Sequence, residues 1–329
     1  MPRVSVILCS YNQSAYVGEA VESVLAQTYE DWELLAIDNG SNDGSHDVLR
    51  RYASDPRVRL LLNDANAPIT QRLNEGVRAT SGEFISFLYS DDLYDRRKLE
   101  LQVAMFDRRG PTCGVVNGGA IGFNELTGAR WRMPAFEKEG CVLGAFLREP
   151  SLVNMLSPLT RRECFTKYPF YEDIFAETES AYFKVAMTYE FAFVREPVVL
   201  LRDHGGNLGK ATRRNAEMSL ECLERLVVHP DFPPQFLEDA AYSRRALLRS
   251  SAWCVVRLDG DTAWARRCFR EAIALDWREA MHPRTVLGYA LSYLPARARG
   301  PINALGHKIR GDKGNRNLIT TNYGGADGV

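Results

Sequence analysis

Two aspartates stand side by side, Asp91 and Asp92, in "GEFISFLYSDDLYDRRKLELQ" (82–102), between an apolar run and a charged helix-like one. Neighbouring carboxylates disfavour one another's ionisation unless a cation or hydrogen-bond donors compensate. The fold must answer that charge. Two more polar clusters follow apolar runs, "SYN" at 10–12 and "DNGSNDGS" at 38–45. The latter offers Asp38 as an acceptor. It also reads as a plain turn, with Asn39, Gly40 and Gly44 taking special backbone angles and Ser45 capping a helix.

The elements that would carry these clusters alternate along the chain. "VSVILC", "ELLAID", "VRLLL" and "EFISFL" read as buried strands. Between them lie helical patterns: Val17, Ala20, Val21, Val24 and Leu25, then Val48, Leu49 and Tyr52, then "ITQRLNEGVRAT". Apolar strands separated by helices predict an α/β, doubly wound, mostly parallel sheet covered on both faces. Ligands of such sheets sit at the carboxyl ends of the strands, where all three polar clusters fall. Farther on, "CGVVNGG" reads as a strand, "ESAYFKVAMTYEF" as a helix and "AFVREPVVLLRDH" as extended, although Pro197 counts against a regular strand. Beyond residue 212 the pattern turns helical, in "NAEMSLECLERLV", "LEDAAYSRRALLRSSAWCVVRL" and "DTAWARRCFREAIALD".

Composition narrows the function. With 329 residues, 41 Lys and Arg against 42 Asp and Glu, there is no global basic field to attract nucleic acid, so an anionic ligand must be held locally. Seven scattered cysteines without CxxC argue against a zinc site or disulfide framework and suit a reducing, cytoplasmic setting. Nothing approaches the ~18 consecutive apolar residues of a membrane span. A dinucleotide site would need a glycine-rich turn after the first strand, where "CSYNQSAYVGEA" has only Gly18. Walker A and GxSxG motifs are missing too, which leaves nicotinamide redox, P-loop hydrolysis and acyl hydrolysis disfavoured.

The segments "VSVILCSYNQSAYVGEAVESVLAQTYEDWELLAIDNGSNDGS" and "LNEGVRATSGEFISFLYSDD" resemble the nucleotide-sugar-binding half of the family-2 glycosyltransferases, which have a GT-A fold. The likeness is close over residues 3–105 and looser to about 207. It implies inverting transfer of a sugar from a nucleotide diphosphate donor, a UDP-sugar for preference, to a glycan or glycoconjugate hydroxyl. By this resemblance Ser10 and Tyr11 line the nucleobase and ribose pocket, Asp38 accepts a hydrogen from the base, and Arg72 reaches the nucleotide or belongs to a solvated helix face. Asp91 and Asp92 match the DXD region, whose carboxylates contact the ribose and hold a divalent cation. Mg²⁺ or Mn²⁺ suits such an all-oxygen site. Tyr89 replaces the acid that often opens this motif. "LLRDHGGNLG" resembles the family's Arg-x-His-x-x-Asn segment and makes His204 a third metal ligand, with Gly205 and Gly206 allowing close approach. The catalytic base usually lies in a Glu-Asp pair before a helix. Here "IFAETESAYFKVA" puts Glu177 on the Glu and Thr178 on the Asp, so Glu177 or Glu179 must serve, with Glu177 preferred. These acids also suit a helix N-terminus on their own account.

The expected domains are therefore 1–211, made of a donor half to 105 and an acceptor-side half from 106, then a helical region 212–315 and a disordered tail 316–329. The basic segment "PARARGPINALGHKIRGDKGNR" fits either a solvated tail or peripheral contact with anionic lipid at the inner membrane face. A homodimer stays open. The rival from another class is a nucleotide-sugar-binding scaffold or sensor without turnover, motivated by Tyr89 and Thr178.

Overall fold

The computed structural model describes residues 1–149, 155–174, 177–204, 213–258, 261–295 and 297–299, with the side chains of 177–180 and 258 set aside. The expected tail 316–329 and the glycines Gly205 and Gly206 lie outside the described residues. Two compact units divide at His204/Gly205.

The first unit opens with the alternation read from the sequence: β1 (Val4–Ser10), α1 (Val17–Leu25), β2 (Trp32–Asp38), α2 (Ser45–Arg50), β3 (Val58–Leu62), α3 (Ile69–Ala79) and β4 (Phe84–Tyr89). β3, β2, β1 and β4 lie side by side, all parallel. Period-two alternation of side chains explains the two covered faces. Val4, Val6 and Leu8 join α1 and α2 residues such as Val21 and Leu49 in one core. Ile7 points the other way, against α3.

Past β4 the sheet becomes mixed. The remaining strands are β5 (Leu93–Tyr94), β6 (Cys113–Asn124), β7 (Arg130–Arg132), β8 (Leu159–Arg161) and β9 (Glu190–Asp203), interleaved with α4 (Lys98–Arg109), α5 (Leu143–Arg148), α6 (Arg162–Lys167) and α7 (Glu177–Val185). The full order is β3-β2-β1-β4-β8-β6-β9-β5, with β7 beside β6. β8 runs antiparallel to both its neighbours, β6 and β9 run parallel, and β5 pairs antiparallel with β9. Pro197 does not end β9. The strand bulges around it, pairing Gly118 with Val194, Gly119 with Pro197 and Ala120 with Val199, which absorbs the missing N–H. Thus β9 reaches far enough for its last residues to lie beside the β4–β5 turn that contains both aspartates.

The second unit is helical: α8 (Arg213–Val227), α9 (Leu237–Leu258), α10 (Thr262–Leu275) and α11 (Pro283–Leu291), around a core of Leu248, Ala252, Val256, Trp264 and Phe269. All seven cysteines are free.

Candidate active site

Parallel pairing aligns the carboxyl ends of β1, β2 and β4: Ser10 lies opposite Asp38, and Cys9 opposite Tyr89. Backbone hydrogen bonds continue the alignment into the loops, Asn39 N–H donating to Ser10 O (2.8 Å) and Ser90 N–H to Cys9 O (3.2 Å). The three polar clusters therefore share one sheet edge.

The first two are knitted together by side chains. Asn12 N–H donates to Ser41 Oγ (2.8 Å), Asn42 N–H to Asn12 Oδ1 (2.9 Å) and Ser14 N–H to Asp43 Oδ2 (2.8 Å). Asn12 takes φ 51°, which asparagine tolerates. At Gly40, with φ 82°, an added Cβ would lie 2.6 Å from the Ala65 backbone, so glycine alone fits. Burial works against ionisation of Asp43, but hydrogen bonds from Ser45 and Ser14 outweigh it and hold its carboxyl down at about 2. Ser45 is the first residue of α2 rather than its cap, and its N–H and hydroxyl both donate to Asp43.

Asp38 is placed differently from the expectation. Its side chain is fully buried; Oδ1 accepts from Ser41 N–H (2.8 Å) and lies 2.8 Å from His46 Nε2, while Oδ2 accepts from Ser41 Oγ (2.7 Å). A carboxylate so occupied supports the loop instead of offering itself to a base. The neighbouring Asn39 is the residue tied to the rest of the pocket: its Oδ1 accepts from Ala67 N–H (3.0 Å) and Arg72 Nε (2.8 Å). Arg72 also donates to Ala65 O (2.9 Å) and pairs with Glu75 (2.9 Å), so it holds the pocket's outer loop instead of a solvated helix face. Ser10 Oγ is buried with no hydrogen-bond partner among the described residues, a polar atom left for something else. Tyr11 stands 41 % exposed at the rim, free to stack on a planar ligand.

The third cluster meets the end of β9. Arg202 N–H donates to Asp92 Oδ1 (2.8 Å) and Arg202 Nε to Asp91 O (3.0 Å), and His204 Nε2 lies 3.2 Å from Asp91 Oδ2. The Arg202 guanidinium sits between the Tyr16 and Phe123 rings and bonds Glu19 (2.6 Å) and Glu125 (2.8 Å). The guanidinium thus pairs with two carboxylates and one backbone carbonyl. Burial and the adjacent Asp91 charge push the Asp92 carboxyl well above the usual range, against the pull of the Arg202 N–H and guanidinium. Negative charge remains in excess at this turn. That excess, together with Asp91 and His204 converging and the orphaned Ser10 hydroxyl, suits a divalent cation with its anionic ligand. Among the described residues no three acidic, His or Cys side chains form a ready cation cage.

Residues 5–152 match the family model described as glycosyl transferase family 2. Over this stretch the chain is similar to the family-2 glycosyltransferases. It is 35 % identical over 133 residues to the putative glycosyltransferase EpsE of Bacillus subtilis (strain 168), covering 39 % of this chain and 48 % of that protein. It is also 35 % identical over 125 residues, 38 % of this chain and 49 % of the relative, to the Escherichia coli UDP-Glc:alpha-D-GlcNAc-diphosphoundecaprenol beta-1,3-glucosyltransferase WfgD. The chain spans about half the length of these curated relatives. Among solved structures, S. aureus TarS 1–349 in complex with UDP-GlcNAc aligns with a TM-score of 0.64 at 16 % identity, over 94 % of this chain and 91 % of that one. The mannosyltransferase PcManGT from Pyrobaculum calidifontis, in complex with GDP-Man and Mn²⁺, aligns at 0.57 and 18 % identity, over 92 % of this chain and 86 % of its own. The fold is accordingly of the GT-A type.

Of the residues read from the sequence, the domain brings Asp91, Asp92 and His204 together, and places Ser10, Tyr11 and Arg72 along one edge. Glu177 and Glu179 open α7, and their side chains fall outside the described residues. Asn74 locates the approach to that helix, since its amide donates to Phe170 O (3.0 Å) and Glu172 (2.9 Å) and its Oδ1 accepts from Phe170 N–H (3.0 Å). Asn39, Asn74 and Arg202 were missed at the sequence level. A signal existed for Arg202, as the arginine two places before His204 beneath an uncompensated acid pair.

Proposed function

We propose that the chain is a metal-dependent inverting glycosyltransferase, taking a sugar from a nucleotide diphosphate donor, UDP-linked for preference, to a hydroxyl of a glycan or glycoconjugate. The observation that carries the reading is the meeting of the Asp91–Asp92 turn with Arg202 and His204 beside the Ser10, Asn39 and Arg72 pocket. Ser10 and Tyr11 would bind the nucleoside. Asp91 and His204 would hold the divalent cation, Mn²⁺ or Mg²⁺, with Asp92 anchoring the turn to β9. When bound, the cation supplies Lewis-acid stabilisation of the departing diphosphate.

The acceptor oxygen forms its bond to the anomeric carbon as the bond to the diphosphate oxygen breaks on the opposite face. Its proton passes to a carboxylate, assigned to Glu177, or to Glu179 as second choice. The donor preference draws support from the names of WfgD, which gives UDP-Glc, and TarS, solved with UDP-GlcNAc; PcManGT, solved with GDP-Man, keeps other bases in the test. Among the described residues no helix is long and apolar enough to cross a membrane, in keeping with an enzyme working in the cytoplasm or at its membrane face.

The test is release of free nucleotide diphosphate from a panel of UDP-, TDP- and GDP-sugars, with Mn²⁺ or chelator and with a cell extract as acceptor source. Release that needs metal and disappears in Glu177→Gln supports the assignment; loss only in Glu179→Gln moves the base there. No release from any donor would favour the scaffold without turnover.

A further inference from the structure

The helical unit contains a helix with apolar side chains on its outer as well as its inner face. On α11 Thr285 and Gly288 are buried, a Cβ on Gly288 would lie 2.4 Å from the Phe269 ring, and Tyr289 and Leu291 pack half-buried on the same core. Large apolar side chains also face outward: Val286 and Leu287 are 49 and 56 % exposed, and Tyr293, just past the helix, 65 %. Trp277 and Met281, in the 3₁₀ turn leading into α11, are 65 and 63 % exposed. A helix facing water normally directs polar side chains outward, and single exposed apolar residues are ordinary. A run of large ones along one stretch marks a contact surface.

From 277 to 299 the exposed charge has one sign, Asp276 lying just before it and accepting from the Arg278 N–H. Arg278, Arg284 and Arg297 are exposed, while Glu279, the one acid between 277 and 299, is buried and paired with Arg249 (2.5 Å). The sequence beyond keeps that sign, with Lys308, Arg310, Lys313 and Arg316 against Asp312. Two-fold pairing with a second copy would bring two patches of the same positive sign together, which is unfavourable. An indole and aliphatic side chains flanked by arginines match the boundary between lipid headgroups and acyl chains instead.

We propose that the stretch from Trp277 to Tyr293 seats the protein on an anionic lipid surface, with Trp277, Val286 and Leu287 entering the interface and the arginines meeting lipid phosphates. The test is co-sedimentation of the full chain with vesicles of phosphatidylcholine alone and of phosphatidylcholine mixed with phosphatidylglycerol. Binding should favour the anionic vesicles and weaken with salt. A triple variant, Trp277→Ser, Val286→Ser and Leu287→Ser, should bind about tenfold less or worse. Its thermal melt should match the parent's, since these side chains are largely exposed. Arg278→Gln with Arg284→Gln should lose the preference for anionic lipid. The proposal fails if the parent chain stays off anionic vesicles, or if the triple variant binds as well as the parent, leaving the basic tail as the whole cause. It also fails if sedimentation equilibrium reveals a dimer that the triple variant dissolves.

Discussion

The nucleoside rim and the acidic turn occupy one sheet edge but are built on opposite principles. Around Asp38 and Asp43 the carboxylate oxygens accept from Ser41 and Ser14 in the loops and from Ser45 at the start of α2, and the backbone conformation at Asn12 and Gly40 is set by neighbouring chain. Such a rim is complete before any ligand arrives. At Asp91 and Asp92 the one buried guanidinium is spent on Glu19, Glu125 and a backbone carbonyl, and burial together with mutual repulsion pushes the Asp92 carboxyl up. This turn is finished only by positive charge brought from outside. Shape is prepaid at one place and charge is left owing at the other.

Substitutions should separate the two. The largest effect is expected at Asp91: Asp91→Asn should lower transfer by about two to three orders of magnitude, the scale of a lost Lewis acid, while the thermal midpoint holds or rises because a repulsive charge is gone. A falling midpoint would show that the turn is structural like the rim. Next comes Arg202→Met, which removes the donor shared by Glu19, Glu125 and the Asp91 carbonyl, and should cost about 1–3 kcal/mol of unfolding free energy in a denaturant titration, as the two glutamates are half exposed. A change under about 1 kcal/mol would mean that the acids find water instead. Asp38→Ala removes the acceptor for Ser41 and should cost about 1–3 kcal/mol, with donor affinity falling through the loop; an intact fold with lost binding would restore the direct contact first expected of it.

The smallest effect is at Asp43. Its folded carboxyl lies below its ordinary 3.8, at about 2, so it contributes stability that is present above about pH 4 and lost as pH falls toward 2. Asp43→Asn should therefore flatten acid denaturation over that window and leave neutral pH little changed. A parent and variant that melt in parallel down to pH 2 would remove Asp43 from the lacing.

How much of this could be read from residues alone follows from the range of the interactions. The β1-to-β4 alternation and the shared edge of the three clusters were legible because periodicity and strand polarity are local. Asp91 and His204 were legible as motif members. The bulge at Pro197 was not, since a proline reads as a break until its partner strand is seen to shift register. Asp38 misled for a related reason: a carboxylate before a glycine turn looks available until burial and Ser41 are in view. Arg202 lies 110 positions from Asp92, and only β5 pairing with β9 brings them together.

The most direct measurement is the thermal shift of the parent chain and Asp91→Asn with UDP alone, Mn²⁺ alone, and both together. Ligand that binds only the folded state raises the midpoint by mass action, so a cation joining the turn to a diphosphate must make the paired shift exceed the sum of the single ones. The expected result is that excess in the parent and its disappearance in Asp91→Asn. A shift from UDP, or from TDP or GDP in its place, that is the same with and without metal and survives in Asp91→Asn would contradict the claim that this turn is completed by an incoming cation.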